Sequence, residues 1–287
     1  MRIDESLSRQ GLKELCKPSP NNCLKITGDI IDKFMNNSKN NSNSKKGINY
    51  SLMEDGQYIP ENWNHQRRFL KFLLRTLAFT LLVRLERVEG LEYIPEKGPG
   101  IVLMNHIGWV DPIVLVHVIP RYIVPLAKVE VFDYPVIGVF PRLWGAIPVQ
   151  REGFDRRAVQ SALEVLDKNE IILVAPEGTR NPELQQGKGG FAYLASRSGA
   201  PIIPVAIDGS PGYPVIRYSK RWRESPITVK FGKPFVFREP YKRAGREDLK
   251  KLSDEAMYYL ATMLPENRRG FYSDLSKATR DTFELIG

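Results

Sequence analysis

The chain has 287 residues, 42% of them hydrophobic, which is enough for one large domain with a full core plus an appendage, and it carries a formal net charge of +9. That charge favours an anionic partner, whether lipid, acidic substrate or acidic carrier protein. No aromatic RNA-binding motif, zinc-finger spacing or basic-region heptad accompanies it, so nucleic acid is set aside. The two cysteines, Cys16 and Cys23, match no metal or redox spacing and exclude a disulfide framework, which suggests a reducing compartment. No charged and then apolar leader opens the chain, so secretion is not expected.

Residues 1–55 read as a low-complexity, disordered extension, because the stretch NNSKNNSNSKKG from Asn36 to Gly47 has too few apolar side chains to offset the entropy of ordering it. Residues 56–87 read as an amphipathic helical element. Its segment QRRFLKFLLRTLAFTLLVRLER has an uncharged run of only eight residues, Thr76 to Val83, where a bilayer span needs about 20. At 3.6 residues per turn Arg68, Lys71 and Arg75 share one face, with Phe69 and Phe72 among the apolar residues beside them. A basic stripe next to Phe and Leu is the pattern of a helix lying in a lipid interface; a core helix with a solvated edge is the plainer alternative.

Residues 88–287 read as an α/β domain with a mixed central sheet flanked by helices. Ile101–Met104, Ile123–Ala127, Ala146–Val149, Ile171–Ala175, Ile202–Ile207 and Ile227–Phe231 are predicted strands, several apolar on both faces as in a covered sheet. Helices are predicted over Phe154–Asn169, Gly190–Arg197 and Arg246–Leu264, each with apolar side chains at core spacing. Ligands of such sheets gather at the carboxyl ends of strands, where His106, Arg151 and Glu177 fall.

Four stretches carry chemistry. Asn105-His106-Ile-Gly-Trp-Val-Asp111 places an imidazole and a carboxylate five residues apart where a strand turns into a helix, the makings of a general base. Gly145-Ala-Ile-Pro-Val-Gln-Arg151 ends a strand in a guanidinium whose planar fork suits phosphate. Ala175-Pro-Glu-Gly-Thr-Arg180 presents a carboxylate, a flexible glycine, a hydroxyl and a second arginine. Ala200-Pro-Ile-Ile-Pro-Val205 has no titratable group and reads as shape. His65 and His117 lack an acidic neighbour of this kind and read as structural.

Together the four resemble the motifs of the glycerolipid acyltransferase family that includes the 1-acylglycerol-3-phosphate acyltransferases, over roughly residues 85–215. Ala175 and Asn181 stand where that family usually has phenylalanine and serine. The resemblance implies His106 as base and Asp111 as its orienter. It places Asn105, Lys128, Arg151, Glu177, Gly178, Thr179 and Arg180 at the substrate, the three cations on the acceptor's phosphate. Glu177 would bind a glycerol hydroxyl or fix an arginine, Gly178 would let the backbone approach, and backbone N–H groups at the start of the helix after His106 are candidates for holding the oxyanion. No Gly-x-Ser-x-Gly is present, which points to direct transfer without an acyl-enzyme.

The implied reaction moves an acyl chain from acyl-CoA or acyl carrier protein, a substrate and not a cofactor, to lysophosphatidate. The setting would be an anionic membrane surface, with the protein peripheral or monotopic on the cytoplasmic face. Glycerol 3-phosphate or another lysolipid as acceptor, and a non-catalytic membrane-binding module, are the alternatives. A metal-dependent hydrolase is disfavoured, since no local set of three ligands can be assembled and no metal is expected.

Overall fold

The computed structural model describes residues 58–74, 84–135, 138–150, 153, 155–209 and 226–287, all within the unit that spans residues 48–287. The expected extension over residues 1–55, the run from Thr76 to Val83, Arg75 and Arg151 lie outside the described residues.

The strands are β1 (Leu85–Glu89), β2 (Gly100–Met104), β3 (Ile123–Lys128), β4 (Ile147–Val149), β5 (Ile171–Val174), β6 (Ile202–Asp208), β7 (Ile227–Phe231), β8 (Phe235–Phe237) and β9 (Phe283–Leu285). They form one mixed sheet in the order β1-β7-β6-β2-β5-β3-β4, extended by β8 on β6 and β9 on β8. From β6 to β4 every pairing is parallel, whereas β7 runs antiparallel to β6. Parallel neighbours need covered faces. Ile101 and Leu103 of β2 accordingly pack in one core with α4 (Arg156–Asp167), α5 (Gly190–Ser198) and α6 (Arg246–Thr262). Val102 and Met104 point to the opposite core, shared with α1 (Asn64–Leu73), α2 (Asp111–Val118) and α3 (Val139–Trp144). The α/β class, the mixed sheet and the predicted strands are as read from the sequence, with small shifts at their ends.

The helical reading of residues 66–87 holds over residues 66–73 and fails at residues 85–87. Leu85, Glu86 and Arg87 belong to β1, which pairs in parallel with β7. Ladder bonds to an open sheet edge outweigh the local helical pattern there. The short strands β8 and β9, three residues each, also went unread.

Helix α1 docks through Trp63, Arg67 and Leu70, all buried. The Arg67 guanidinium donates to Trp144 O at 2.8 Å, Pro60 O at 3.0 Å and the Tyr58 hydroxyl at 3.1 Å, and the Tyr58 hydroxyl donates in turn to Gly145 O. Gly145 ends α3 in the left-handed region at φ +74°. A Cβ there would lie 2.4 Å from Trp63 Cδ2, so the glycine both closes the helix and admits the indole.

On the opposite face Phe69 and Phe72 are 51% and 58% exposed, and Arg68 is exposed beside them. Lys71 departs from the expected lipid-facing stripe. Its Nζ donates to the carbonyls of Ile119 (2.8 Å), Pro120 (3.2 Å) and Arg121 (3.3 Å) just past the end of α2, and burial pushes its pKa down to about 8. The ammonium satisfies carbonyls that a helix C-terminus leaves open, so it is a tie between α1 and α2.

Gly145→Ala is expected to lower stability by about 2 kcal/mol, combining left-handed strain with displacement of Trp63. Urea unfolding checks the loss, and amide exchange in residues 64–73 should speed up if the docking of α1 is what suffers.

Candidate active site

The parallel register builds the site. Leu103 of β2 pairs with Val174 of β5, and Met104 pairs with Val205 of β6. The turns after β2 and β5 therefore emerge side by side at the carboxyl edge of the sheet, where open α/β sheets bind ligands.

Asn105, the first residue past β2, is buried. Its side-chain amide donates from Nδ2 to Ile207 O and accepts at Oδ1 from Ile207 N, both at 2.8 Å. It extends the β2–β6 ladder by one side-chain rung, with oxygen and nitrogen both engaged. Asn105, expected at the substrate, fastens the start of the turn.

His106 follows, and its Nδ1 lies 3.0 Å from Asp111 Oδ2. The same oxygen accepts from Ile107 N at 2.6 Å and Gly108 N at 2.7 Å. Asp111 opens α2, so the positive end of the helix favours its negative charge. Its side chain is fully buried while the imidazole is 18% exposed. Three donors converge on one oxygen, and the other, Oδ1, is buried with no hydrogen-bond partner among the described residues. An acceptor so placed holds the ring proton on Nδ1 and leaves the lone pair on Nε2. Nε2 has no hydrogen-bond partner among the described residues. The Ile107 and Gly108 N–H groups, which precede the helix, are spent on Asp111.

The turn after β5 grips the same segment from the other side. Glu177 is 3% exposed; it accepts from His106 N at 3.0 Å and from Gln185 N at 2.8 Å. Burial pushes its pKa up to about 7 against the pull of these two N–H bonds, with Asp111 adding to the rise. The expected glycerol or arginine partner is thus replaced by backbone. Asn181 N donates to His106 O at 2.9 Å, so both peptide groups of His106 are bound to this turn.

Gly178 has φ +68°, and a Cβ there would meet Lys188 Nζ at 3.3 Å. Thr179 is exposed. The Arg180 guanidinium lies 3.4 Å from the Trp109 ring centroid. Lys128 ends β3 at the same edge and pairs with Glu130 at 2.7 Å. Trp109 and Lys188 were not read as site residues from the sequence. Trp109 stands inside the His–Asp motif, but its partner lies on another turn, and only the fold joins them. Among the described residues no three His, Cys, Asp or Glu side chains come together as a metal site.

Residues 86–208 match the acyltransferase family model. The chain is 33% identical over 124 residues to a 1-acyl-sn-glycerol-3-phosphate acyltransferase of Bacillus subtilis, covering 43% of this chain and 62% of that protein. It is 31% identical over 153 residues to one of Cocos nucifera, covering 51% of this chain and 48% of the other. The chain thus spans about half to three-fifths of these relatives. Among solved structures, the 1-acyl-sn-glycerophosphate (LPA) acyltransferase PlsC of Thermotoga maritima shares the fold, with a TM-score of 0.52 at 24% identity over 77% of this chain and 84% of that one.

The raised Glu177 pKa sets a stability test. Between an ordinary 4.5 and about 7 the folded protein holds a proton that the unfolded chain releases, so the contribution is lost as pH rises through that window. Wild type should lose stability relative to Glu177→Gln across this interval and stay level above it, as denaturation at several pH values would show. A relative gain would contradict the assignment.

Proposed function

We propose that this chain, whose residues 86–208 match the acyltransferase family model and whose curated relatives include 1-acyl-sn-glycerol-3-phosphate acyltransferases, transfers an acyl group from a thioester to the free hydroxyl of 1-acylglycerol 3-phosphate, giving phosphatidate. The observation that carries the reading is the 3.0 Å contact between His106 Nδ1 and Asp111 Oδ2, with the imidazole partly exposed and the carboxylate buried. In this arrangement His106 Nε2 takes the proton of the acceptor hydroxyl as its oxygen attacks the thioester carbonyl. Asp111 stabilises the imidazolium that forms, the carbon–sulfur bond breaks as the ester bond is completed, and the proton passes to the departing thiolate. No acyl-enzyme is needed.

Arg180, Arg151 and Lys128 are the cations that would receive the acceptor's phosphate, and Gly178 and Thr179 would line its approach. Acyl-CoA and acyl carrier protein both fit as donors, and the net charge of +9 suits either, as it suits an anionic bilayer. Among the described residues no helix is long and apolar enough to cross a membrane. The exposed Phe69 and Phe72 beside Arg68 support a peripheral or monotopic seat on a lipid surface, where lysophosphatidate would enter from the lipid, and we assign that seat to the cytoplasmic face.

Thiol release from an acyl-CoA, with the lipid product identified, tests the reaction. Wild type should form phosphatidate only when lysophosphatidate is present. His106→Ala should lower the rate about 10²- to 10⁴-fold, as loss of a general base does, with an unchanged unfolding midpoint as the control; equal turnover would sink the mechanism. Replacing Phe69 and Phe72 together by serine should reduce flotation with anionic liposomes while activity on detergent-dispersed substrate stays within about threefold, since these side chains act at the lipid interface.

A further inference from the structure

The contact between Trp109 and Arg180 is, among the described residues, the closest of its kind by a wide margin. Among the described residues the other arginines over aromatic rings lie 5.1–6.0 Å from the centroid, against 3.4 Å here. A distance of 3.4 Å from guanidinium carbon to ring centroid is a stacking separation. Stacking occupies the face of the group and not its in-plane N–H bonds, which are the part that forks onto a phosphate.

The rest of the setting fixes the stack relative to the imidazole. Trp109 sits between His106 and Asp111 in the chain, so its backbone is part of the turn that Asp111 ties down through Ile107 and Gly108. On the Arg180 side the next residue, Asn181, donates its N–H to His106 O at 2.9 Å. The indole is backed by Tyr134, edge-on at 5.5 Å and 83°. Two turns from different strands are thus joined three times, by the Asn181–His106 backbone bond, by the Glu177 carboxyl on His106 N and by the stacked pair.

We propose that Trp109 is a positioning residue, whose indole face holds the Arg180 guanidinium flat and sets its phosphate-binding edge at a fixed offset from His106. The inference rests on the acyltransferase reading given above, with Arg180 as a phosphate ligand. Trp109 then acts on acceptor binding and not on proton transfer. A flexible arginine would have to be ordered at each binding event, and one held against a ring is ordered beforehand. The indole also covers one face of the cation and keeps water from it, which strengthens its attraction for a phosphate.

The test separates a π face from mere volume. Trp109→Phe keeps a ring, and Trp109→Leu keeps apolar bulk without one. For transfer to lysophosphatidate, Trp109→Leu should raise the acceptor KM about tenfold with kcat within about twofold, and Trp109→Phe should recover most of that loss. The KM for acyl-CoA should not move. Placed in an Arg180→Ala background, Trp109→Leu should add nothing further, because the residue acts through the arginine.

If Leu and Phe behave alike, or if Trp109→Leu lowers kcat with KM unchanged, the positioning role is overturned while the acyltransferase reading stands. If wild type shows no transfer to lysophosphatidate, that reading fails first. Titration with inorganic phosphate followed by calorimetry then judges the pair alone. Wild type should bind more tightly than both Trp109→Leu and Arg180→Ala, and equal binding by wild type and Trp109→Leu, or no binding by wild type, overturns the proposal.

Discussion

One carboxylate oxygen organises this site. Asp111 Oδ2 receives the Ile107 and Gly108 N–H groups and the His106 ring within 2.6–3.0 Å, at the N-terminus of a helix and out of contact with water. Each bond does a different thing. The two backbone bonds fix the turn that carries His106, and the third fixes the ring itself. The same charge that shapes the turn therefore selects the tautomer, and the histidine cannot take its working orientation unless the turn is folded around the aspartate. Leaving Oδ1 buried with no partner among the described residues costs free energy, and the helix terminus together with three donors on the other oxygen offsets it.

The second carboxylate, Glu177, does for the main chain what Asp111 does for the side chain. By accepting the N–H of His106 and that of Gln185, it joins the turn after β2 to the turn after β5 and to the segment beyond it. The parallel pairing of β2 with β5 brings these turns together, and Asn105 secures the other flank through Ile207 of β6. Three neighbouring strands thus hold one residue. The exposed parts of the site, the imidazole, Thr179 and the Arg180–Trp109 stack, rest on this buried polar frame. Asn105 and Glu177 have both side-chain polar atoms engaged, which rigidifies their part of the frame.

Much of this was legible in the sequence, for reasons that differ residue by residue. The strands of the parallel core declared themselves because both faces are covered, giving continuous apolar runs such as Ile171–Val174. His106 and Asp111 were legible because their contact is local, within one turn. Asn105 and Glu177 were recognised as site residues, but their partners in the fold were not, since those partners are backbone groups 102 and 71 residues away in the chain. Lys71 was misread for the same reason: a basic helical stripe looks identical whether its ammonium meets a lipid phosphate or the open carbonyls after another helix. The start of β1 was hidden because its pairing with β7 is a property of the sheet and leaves no local period. Trp109 was hidden because a ring and a guanidinium on separate turns have no common signature.

The central claim, that Asp111 holds the His106 ring with its proton on Nδ1 and its lone pair on Nε2, is open to direct observation by nitrogen-15 NMR of histidine-labelled protein. With three histidines in the chain, His106→Gln assigns the signal. The account predicts that neutral His106 carries its proton on Nδ1 and that Asp111→Asn shifts the population toward the Nε2-protonated form. A wild-type His106 protonated chiefly on Nε2 would contradict it, because that nitrogen could not then accept a proton from the acceptor hydroxyl.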